Sequence, residues 1–464
     1  MASMRYSEVP TEDIRQGEWL IHIKQGLQDH QSIARPSTVT IFNVPKILVD
    51  LKRDSYLPRV VSIGRCYHQA TDLYGMDAHK LRAAQRMIKR LPGKTDINSV
   101  LSEIEKMDGQ IRDRYEKIIN CNSETLAWMM LLDGSFLLEL LRTLAGKDQN
   151  DSSDGMYFEP LFDESRIKSM GFAALGDIVK LENQIPLLVL DKILQLESGS
   201  EKEAQTKLFE FLLNAASSFF PFKYLQLSRI EIDSPFLCRE HFLGFLHGVT
   251  LSFFAGTESA SPTSSSSSSS SSTVERQFNY AIPSISRLSK AGICIRPYTE
   301  DGGMALRFDK ETSVLYLPVL TISENTETVL RNLMAMEAFL PSELQVVSCY
   351  VGLMNSLIFT DNDVRQLRMA GILYFYVGSD AQVAQLWDSL CKGMAISSLQ
   401  SLKTLKREIT SDYRSKWRAK LVDFFITRFT RPWRTAISVL AATLILLFTF
   451  AQTFSSMYGF HKAN

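Results

Sequence analysis

"LENQIPLLVL", residues 181–190, sets three polar side chains and a proline inside an otherwise apolar run. Glu182, Asn183 and Gln184 stand between Leu181 and Ile185, and Pro186 follows at once. Proline has no N–H and pushes the residue before it out of α geometry, so a helix through this point loses the donor for the Glu182 carbonyl. In a dry interior that carbonyl needs a substitute, and neighbouring amides can supply one. The stretch therefore predicts a bent, buried helix over 177–194, with the polar trio serving the backbone rather than a substrate.

The first half of the chain reads as helix. "MDAHKLRAAQRMIKR" (76–90) places Leu81, Ala84, Met87 and Ile88 on one face and stops at Pro92-Gly93. Residues 124–144 are too apolar for a surface helix, and "CREHFLGFLHGVTLSFF" (238–254) is another helical run. Beyond residue 276 the character changes. "GICIRPY" and "ALRFDKETSVLYLPVLTI" alternate and are rich in β-branched residues, which predicts a small antiparallel sheet followed by further helices. The expected class is mainly α (α+β). Its expected order is a variable segment 1–40, a helical block 41–256, an insert 257–275, and a block 276–430 with the small sheet. The insert carries nine consecutive serines and cannot bury apolar area, so it reads as a flexible linker or loop.

The C-terminal end differs from the rest. "TAISVLAATLILLFTFAQTF" (435–454) has no charge, and about 20 helical residues span a hydrocarbon core of ~30 Å. A transmembrane helix is expected over 435–455, with a short tail 456–464. Between Lys403 and Arg434 stand ten basic residues, among them Arg414, Lys416, Arg418, Lys420, Arg428, Arg431 and Arg434, against Glu408, Asp412 and Asp423. The positive-inside rule then places the large N-terminal part in the cytosol, at the plasma membrane or an endomembrane. The N-terminus shows no apolar signal-peptide core, which supports a tail-anchored, single-pass arrangement. The basic flank also suits anionic headgroups. Asn150-Asp151-Ser152 is a formal glycosylation sequon that stays silent in the cytosol, so it reports on this topology.

Chemistry is harder to find. Lys plus Arg and Asp plus Glu are both 51, so no global field points to nucleic acid. The six cysteines are scattered without C-x-x-C spacing and read as reduced thiols. "PGKT" (92–95) has Ile88 where a P-loop needs glycine and follows a basic helix, so it is a helix stop. The histidines form no H-E-x-x-H, and no G-x-S-x-G occurs. No catalytic residue, cofactor or metal is expected. Asp133 and Glu139, inside "MMLLDGSFLLELL", need buried partners. The competing reading is an enzyme whose site gathers Asp133, Glu139, His68 and Glu182 from separate segments. It requires that they converge at a place open to a substrate. A third reading is a membrane-tethered scaffold.

Several segments together resemble one plant family, known as domain of unknown function 247. "PRVVSIGRCYHQ" (58–69) is similar to its opening signature P-x-V-S-I-G-P-Y-H-H-G, keeping Pro58, Ser62, Ile63, Gly64 and His68 while departing at Arg65, Cys66, Tyr67 and Gln69. "MDAHK", "LDGSFLLEL", "LENQIPL", "HFLGFLH", "IPSISRLSKAGI" and "SLIFTDNDVRQLRMAGI" follow in the family's order. The resemblance implies a C-terminal membrane helix and no assigned biochemical activity. It implies a recognition or signalling role with protein partners, since some grass members are linked to the male, pollen side of gametophytic self-incompatibility.

Overall fold

The computed structural model describes residues 39–68, 71–93, 96–145, 173–222, 227–233, 240–255, 282–299, 306–375, 378–394, 400–425 and 431–461. Nearly all of the 1–40 segment, the serine-rich insert, the Asn150 sequon and Arg428 lie outside these residues.

The helix Ser123–Leu144 (α3) is the axis of the first block. Asn122 caps it by accepting from the Thr125 N–H at 2.9 Å. Apolar residues occupy every side of it, as a helix must when it is surrounded. Four helices cover it: Asp77–Arg90 (α1), Ile97–Glu105 (α2), Leu187–Ser198 (α4) and Glu201–Phe219 (α5). Gly134 lets α4 approach closely, because a Cβ there would lie 3.0 Å from Ile193 Cδ1. The α4–α5 hairpin turns at Gly199, whose φ of 72° suits glycine, and Ser200 caps α5.

Phe242–Ala255 (α6) leads to the second block, made of Ile285–Ala291 (α7), Thr326–Glu337 (α8), Val346–Leu357 (α9), Asp361–Met369 (α10), Asp380–Cys391 (α11) and Gln400–Phe425 (α12). The small sheet is present, but its pairing differs from the expectation. Arg307–Asp309 (β2) runs antiparallel to Val314–Pro318 (β3), whereas Cys294–Tyr298 (β1) lies parallel on the other edge of β3. A second pair, Leu320–Ile322 (β4) and Leu373–Phe375 (β5), is also parallel. Alternation of side chains identifies a strand's faces but says nothing of its direction. The sheet is therefore mixed.

Buried side chains from Ile41 to Ile409 form one hydrophobic cluster, drawn from both sides of the insert. A bridge from Phe222 to Leu320 and the Thr321 N–H donating to the Pro221 carbonyl at 2.6 Å join the segment just after α5 to β4.

Two local expectations change. Residues 178–186 are not a bent helix. The chain makes an irregular buried turn, and Pro186 (φ −62°, ψ 132°) stands at the N-cap of α4. A proline is cheapest where the helix begins, because its missing N–H would be unpaired there anyway. On α1 the buried face is Lys80, Ala83, Ala84 and Met87, while Leu81 is 53% exposed. Lys80 is drawn inward by an acidic partner, which rotates the helix away from its apolar register.

The last helix, Arg431–His461 (α13), contains Ala436–Ser455, a segment long and apolar enough to cross a membrane and buried nowhere against the other described residues. Its threonines hide their hydroxyls by donating to carbonyls one turn back: Thr443 to Val439, Thr449 to Ile445 and Thr453 to Thr449.

Candidate functional site

The polar residues of the opening stretch form the hub of a buried network. Its other half is the extended segment 57–64, which brings its main-chain groups to the turn 177–185. Asp177, fully buried, accepts from the N–H groups of Arg59, Val60 and Val61, the Val60 bond being 2.7 Å. Lys180 Nζ neutralises it at 2.8 Å and also donates to the Leu57 carbonyl. Burial holds the Lys180 pKa below the ordinary lysine range, and Asp177 opposes that shift.

Asn183 continues the pairing in the manner of a strand. Its Oδ1 accepts from the Ile63 N–H at 2.7 Å, and its Nδ2 donates to the carbonyls of Val61 and Asp177 at 3.0 Å each. Gln184 closes the turn on itself, donating to the Ile178 and Lys180 carbonyls at 2.7 and 2.8 Å. Its Oε1 accepts from the Leu243 N–H at the start of α6 at 3.1 Å. Glu182 faces outward to the N-terminal strap, accepting from the Val44 N–H at 2.7 Å and from the Tyr67 hydroxyl at 2.6 Å.

Asp133, on α3, meets the same extended segment from the opposite side. It accepts from the Gly64 N–H at 2.8 Å and pairs with Lys80 at 2.6 Å. Lys80 in turn donates to the Ser62 carbonyl at 2.6 Å. Burial raises the Asp133 pKa, against the pull of Lys80 and the Gly64 N–H. His68 lies near this pair; burial lowers its pKa, with Asp133 acting in the other direction. Gly64 (φ 71°) is required by shape, since a Cβ would fall 2.3 Å from the Gln184 carbonyl oxygen. Burial also pushes the Cys66 thiol up to about 11, aided by Glu182, and so away from a reactive thiolate.

Glu139 stands apart. It lies six residues along α3 from Asp133, about 9 Å by helix rise, and it is 1% exposed amid Arg86, Arg90 and Arg142. The structure thus brings His68, Asp133, Glu182, Asn183, Gln184 and Pro186 to one region and leaves Glu139 in a separate arginine cluster. The carboxylates of Asp133 and Glu139 are closed to solvent, and Glu182 is half-buried with both oxygens bonded. Among the described residues no three His, Cys, Asp or Glu side chains gather to hold a metal ion.

Several members of the network escaped sequence reasoning. Asp177 and Lys180 precede the quoted stretch at i, i+3 spacing, and Lys80 ends "MDAHK". Asn332 sits mid-helix in "LRNLMAM", where its amide accepts from the Leu181 N–H at 2.9 Å and donates to the Ser55 carbonyl at 2.8 Å. An amide inside an apolar helix is a usable signal. Glu337 is a further buried carboxylate, accepting from the Val347 and Ser348 N–H groups at the start of α9 and facing His247 at 3.0 Å.

Of the basic flank, Arg414, Lys416, Arg418 and Lys420 lie on α12, and Arg431 and Arg434 lie in the first turn of α13. Lys416 donates to the Gly292 carbonyl at 3.3 Å and Lys420 to that of Lys290.

These features define a helical domain stitched by buried side chain-to-backbone bonds and followed by a long apolar helix, Ala436–Ser455. The chain belongs to the family described as plant protein of unknown function, domain of unknown function 247, which matches residues 41–448. A putative UPF0481 protein of Arabidopsis thaliana is 27% identical over 520 residues, covering 95% of both chains. A second UPF0481 protein of the same plant is 24% identical over 425 residues, covering 89% of this chain and 85% of the relative. No solved structure matches the chain.

Proposed function

We propose that this chain is a membrane-anchored, non-enzymatic recognition or signalling protein of plants, with its folded part in the cytosol. The observation that carries the reading is how its polar residues are used. Asp133, Asp177, Asn183 and Gln184 are spent on the protein's own main chain, while the long apolar helix Ala436–Ser455 is covered by none of the other described residues. A group sealed from solvent and already bonded to its own main chain is out of a substrate's reach. An apolar helix of that length without a protein cover finds one in a bilayer. The basic residues before it set the orientation. The narrowest form of the reading is the pollen self-recognition role implied by the family resemblance. It predicts that editing this gene in pollen alters compatibility without altering pollen viability.

Alkaline extraction and protease protection of the full chain test the anchor and its direction. The reading expects retention in the membrane pellet, full digestion of the folded part from the cytosolic side, and no glycan at Asn150. Release by alkali overturns the anchor. A substrate turned over by the purified full chain, with turnover lost in Glu182→Gln at unchanged stability, overturns the non-enzymatic part.

A further inference from the structure

The outer face of the three-stranded sheet sets an arginine on either side of a tyrosine. Parallel pairing puts Arg296 of β1 opposite Tyr316 of β3, and antiparallel pairing puts Arg307 of β2 opposite the same tyrosine. Residues in register project to the same side of a sheet, so Arg296, Tyr316 and Arg307 form one row across its strands. With strands about 4.8 Å apart, the main chains of the two arginines stand ~10 Å from each other. Tyr298, two residues beyond Arg296, shares this face, and its ring meets that of Tyr316 edge-on with centroids 6.5 Å apart. The opposite face holds Leu315, Leu317 and Phe308, all buried in the core. The row is therefore turned outward: Arg296 and Arg307 are exposed, and both tyrosines are partly exposed.

Other arginines are used by the fold. Arg112, Arg142 and Arg331 pair with carboxylates, and Arg368 lies over the Phe375 ring. Among the described residues neither Arg296 nor Arg307 has a hydrogen bond, a salt bridge or a ring beneath it. Asp309, on the same face, is taken up by the β2–β3 turn, where its Oδ1 accepts from the Glu311 and Thr312 N–H groups at 2.9 and 3.3 Å. Hydrogen bonds from Thr312 hold its pKa below the ordinary carboxylate value, and the Arg307 charge adds to them.

We infer that this face binds a nucleotide unit, with the base against the Tyr298–Tyr316 pair and the phosphate between Arg296 and Arg307. Each part of the face selects its own part of the ligand. A guanidinium presents a planar fork that matches the oxygens of a phosphate, and two of them on long side chains can close on one phosphate over the central strand. Tyrosine rings offer a π surface on which any base can stack. An acidic peptide would use the arginines and leave the rings idle, and an apolar partner would do the reverse. The ~10 Å width of the row suits one nucleotide rather than a long tract. Equal totals of 51 basic and 51 acidic residues exclude a chain-wide field, but not a local pair of this kind.

The test is equilibrium dialysis of the full chain in detergent against adenosine monophosphate, adenosine, inorganic phosphate and a short oligoadenylate. Adenosine monophosphate is expected to bind about tenfold or more tightly than adenosine or phosphate alone, since only it meets both halves of the face. R296Q/R307Q lowers that affinity about tenfold or more through lost charge-assisted contacts. Both arginines are exposed, so this variant keeps the native unfolding midpoint. Tyr316→Ala lowers the affinity about 5- to 150-fold through lost stacking, and Tyr316→Phe restores it. Tighter binding of the oligoadenylate than of the monophosphate identifies the source as a strand, and the reverse identifies a free nucleotide. Phosphate binding as tightly as the monophosphate overturns the inference, as does an affinity unchanged in R296Q/R307Q and Tyr316→Ala. A glutamate-rich peptide that binds as tightly overturns it in favour of an acidic partner. Absence of binding by either nucleotide ligand overturns it as well, and none of these outcomes bears on the membrane anchor.

Discussion

Replacing Asn183 with leucine removes three hydrogen bonds from a site that water does not reach. Asn183 is fully buried, and its partners, the Ile63 N–H and the Val61 and Asp177 carbonyls, belong to buried residues. A buried backbone group left unpaired costs about 1–3 kcal/mol, most for the N–H, because each carbonyl keeps a second lone pair. The three together come to about 3–6 kcal/mol, and burying leucine returns about 1–2 kcal/mol. The net loss of ~2–4 kcal/mol is a large share of a typical margin of about 5–15 kcal/mol. Pro186→Ala is the comparator. Since Pro186 stands at an N-cap, alanine fits the backbone, and the loss is about 0.4–1 kcal/mol through the unfolded chain. Denaturant unfolding of the full chain in detergent, followed by near-ultraviolet circular dichroism, gives both midpoints. Asn183→Leu within 1 kcal/mol of the native protein, or Pro186→Ala the more damaging of the two, would refute the assignment of this stretch to backbone support.

Three other outcomes follow from the same geometry. Gly64→Ala destabilises by about 3 kcal/mol or more, combining left-handed strain with a Cβ 2.3 Å from the Gln184 oxygen, and the midpoint shift measures it. Lys80→Met leaves the Asp133 carboxylate buried and unpaired at a cost of about 3–5 kcal/mol, and Lys80→Met with Asp133→Leu recovers part of that loss. His241 has a pKa lowered by burial to about 4 from its ordinary 6.5, so the unfolded chain takes up the proton first. The stability it contributes is complete above pH 6.5 and is lost as pH falls toward 4, at ~1.4 kcal/mol per pH unit and about 3 kcal/mol in all. Unfolding midpoints across that range, with His241→Gln as reference, should differ by this slope. Parallel pH profiles would contradict it.

How much of this was legible before the structure follows from what each signal encodes. Helix existence came through strongly at 124–144 and 435–455, because an apolar surround needs no partner to be recognised. Pro186 announced a break but not its kind: a proline that kinks a helix and one that starts a helix look alike in one dimension. The strands of 294–318 were visible and their directions were not, since pairing direction depends on where a loop travels. Leu81 and Lys80 exchanged expected places because ion pairing with Asp133, 53 residues away, outweighed local apolar periodicity. Of the polar trio, Asn183 and Gln184 donate to backbone carbonyls, whereas Glu182 accepts from the Val44 N–H and the Tyr67 hydroxyl. Their partners at 44, 61, 63, 67 and 243 are long-range, and only folding reveals them.

The segments that carry the family resemblance are far apart in the chain and adjacent in space. "VVSIG" offers its main chain to Asn183 of "LENQIP" and to Asp133 of "LDGSF". "MDAHK" supplies Lys80 to both Asp133 and Ser62. "HFLGFLH" presents the Leu243 N–H to Gln184, while its His241 takes the Gly244 N–H on Nδ1 and donates from Nε2 to the Thr40 carbonyl. A signature built this way specifies how the helices and the N-terminal strap are stitched. Each member is costly to change because its partner would be left bare in a dry site. The fold's most recognisable residues are therefore poor candidates for partner contact. Contact with another molecule is better sought on exposed faces, where a substitution costs the fold little.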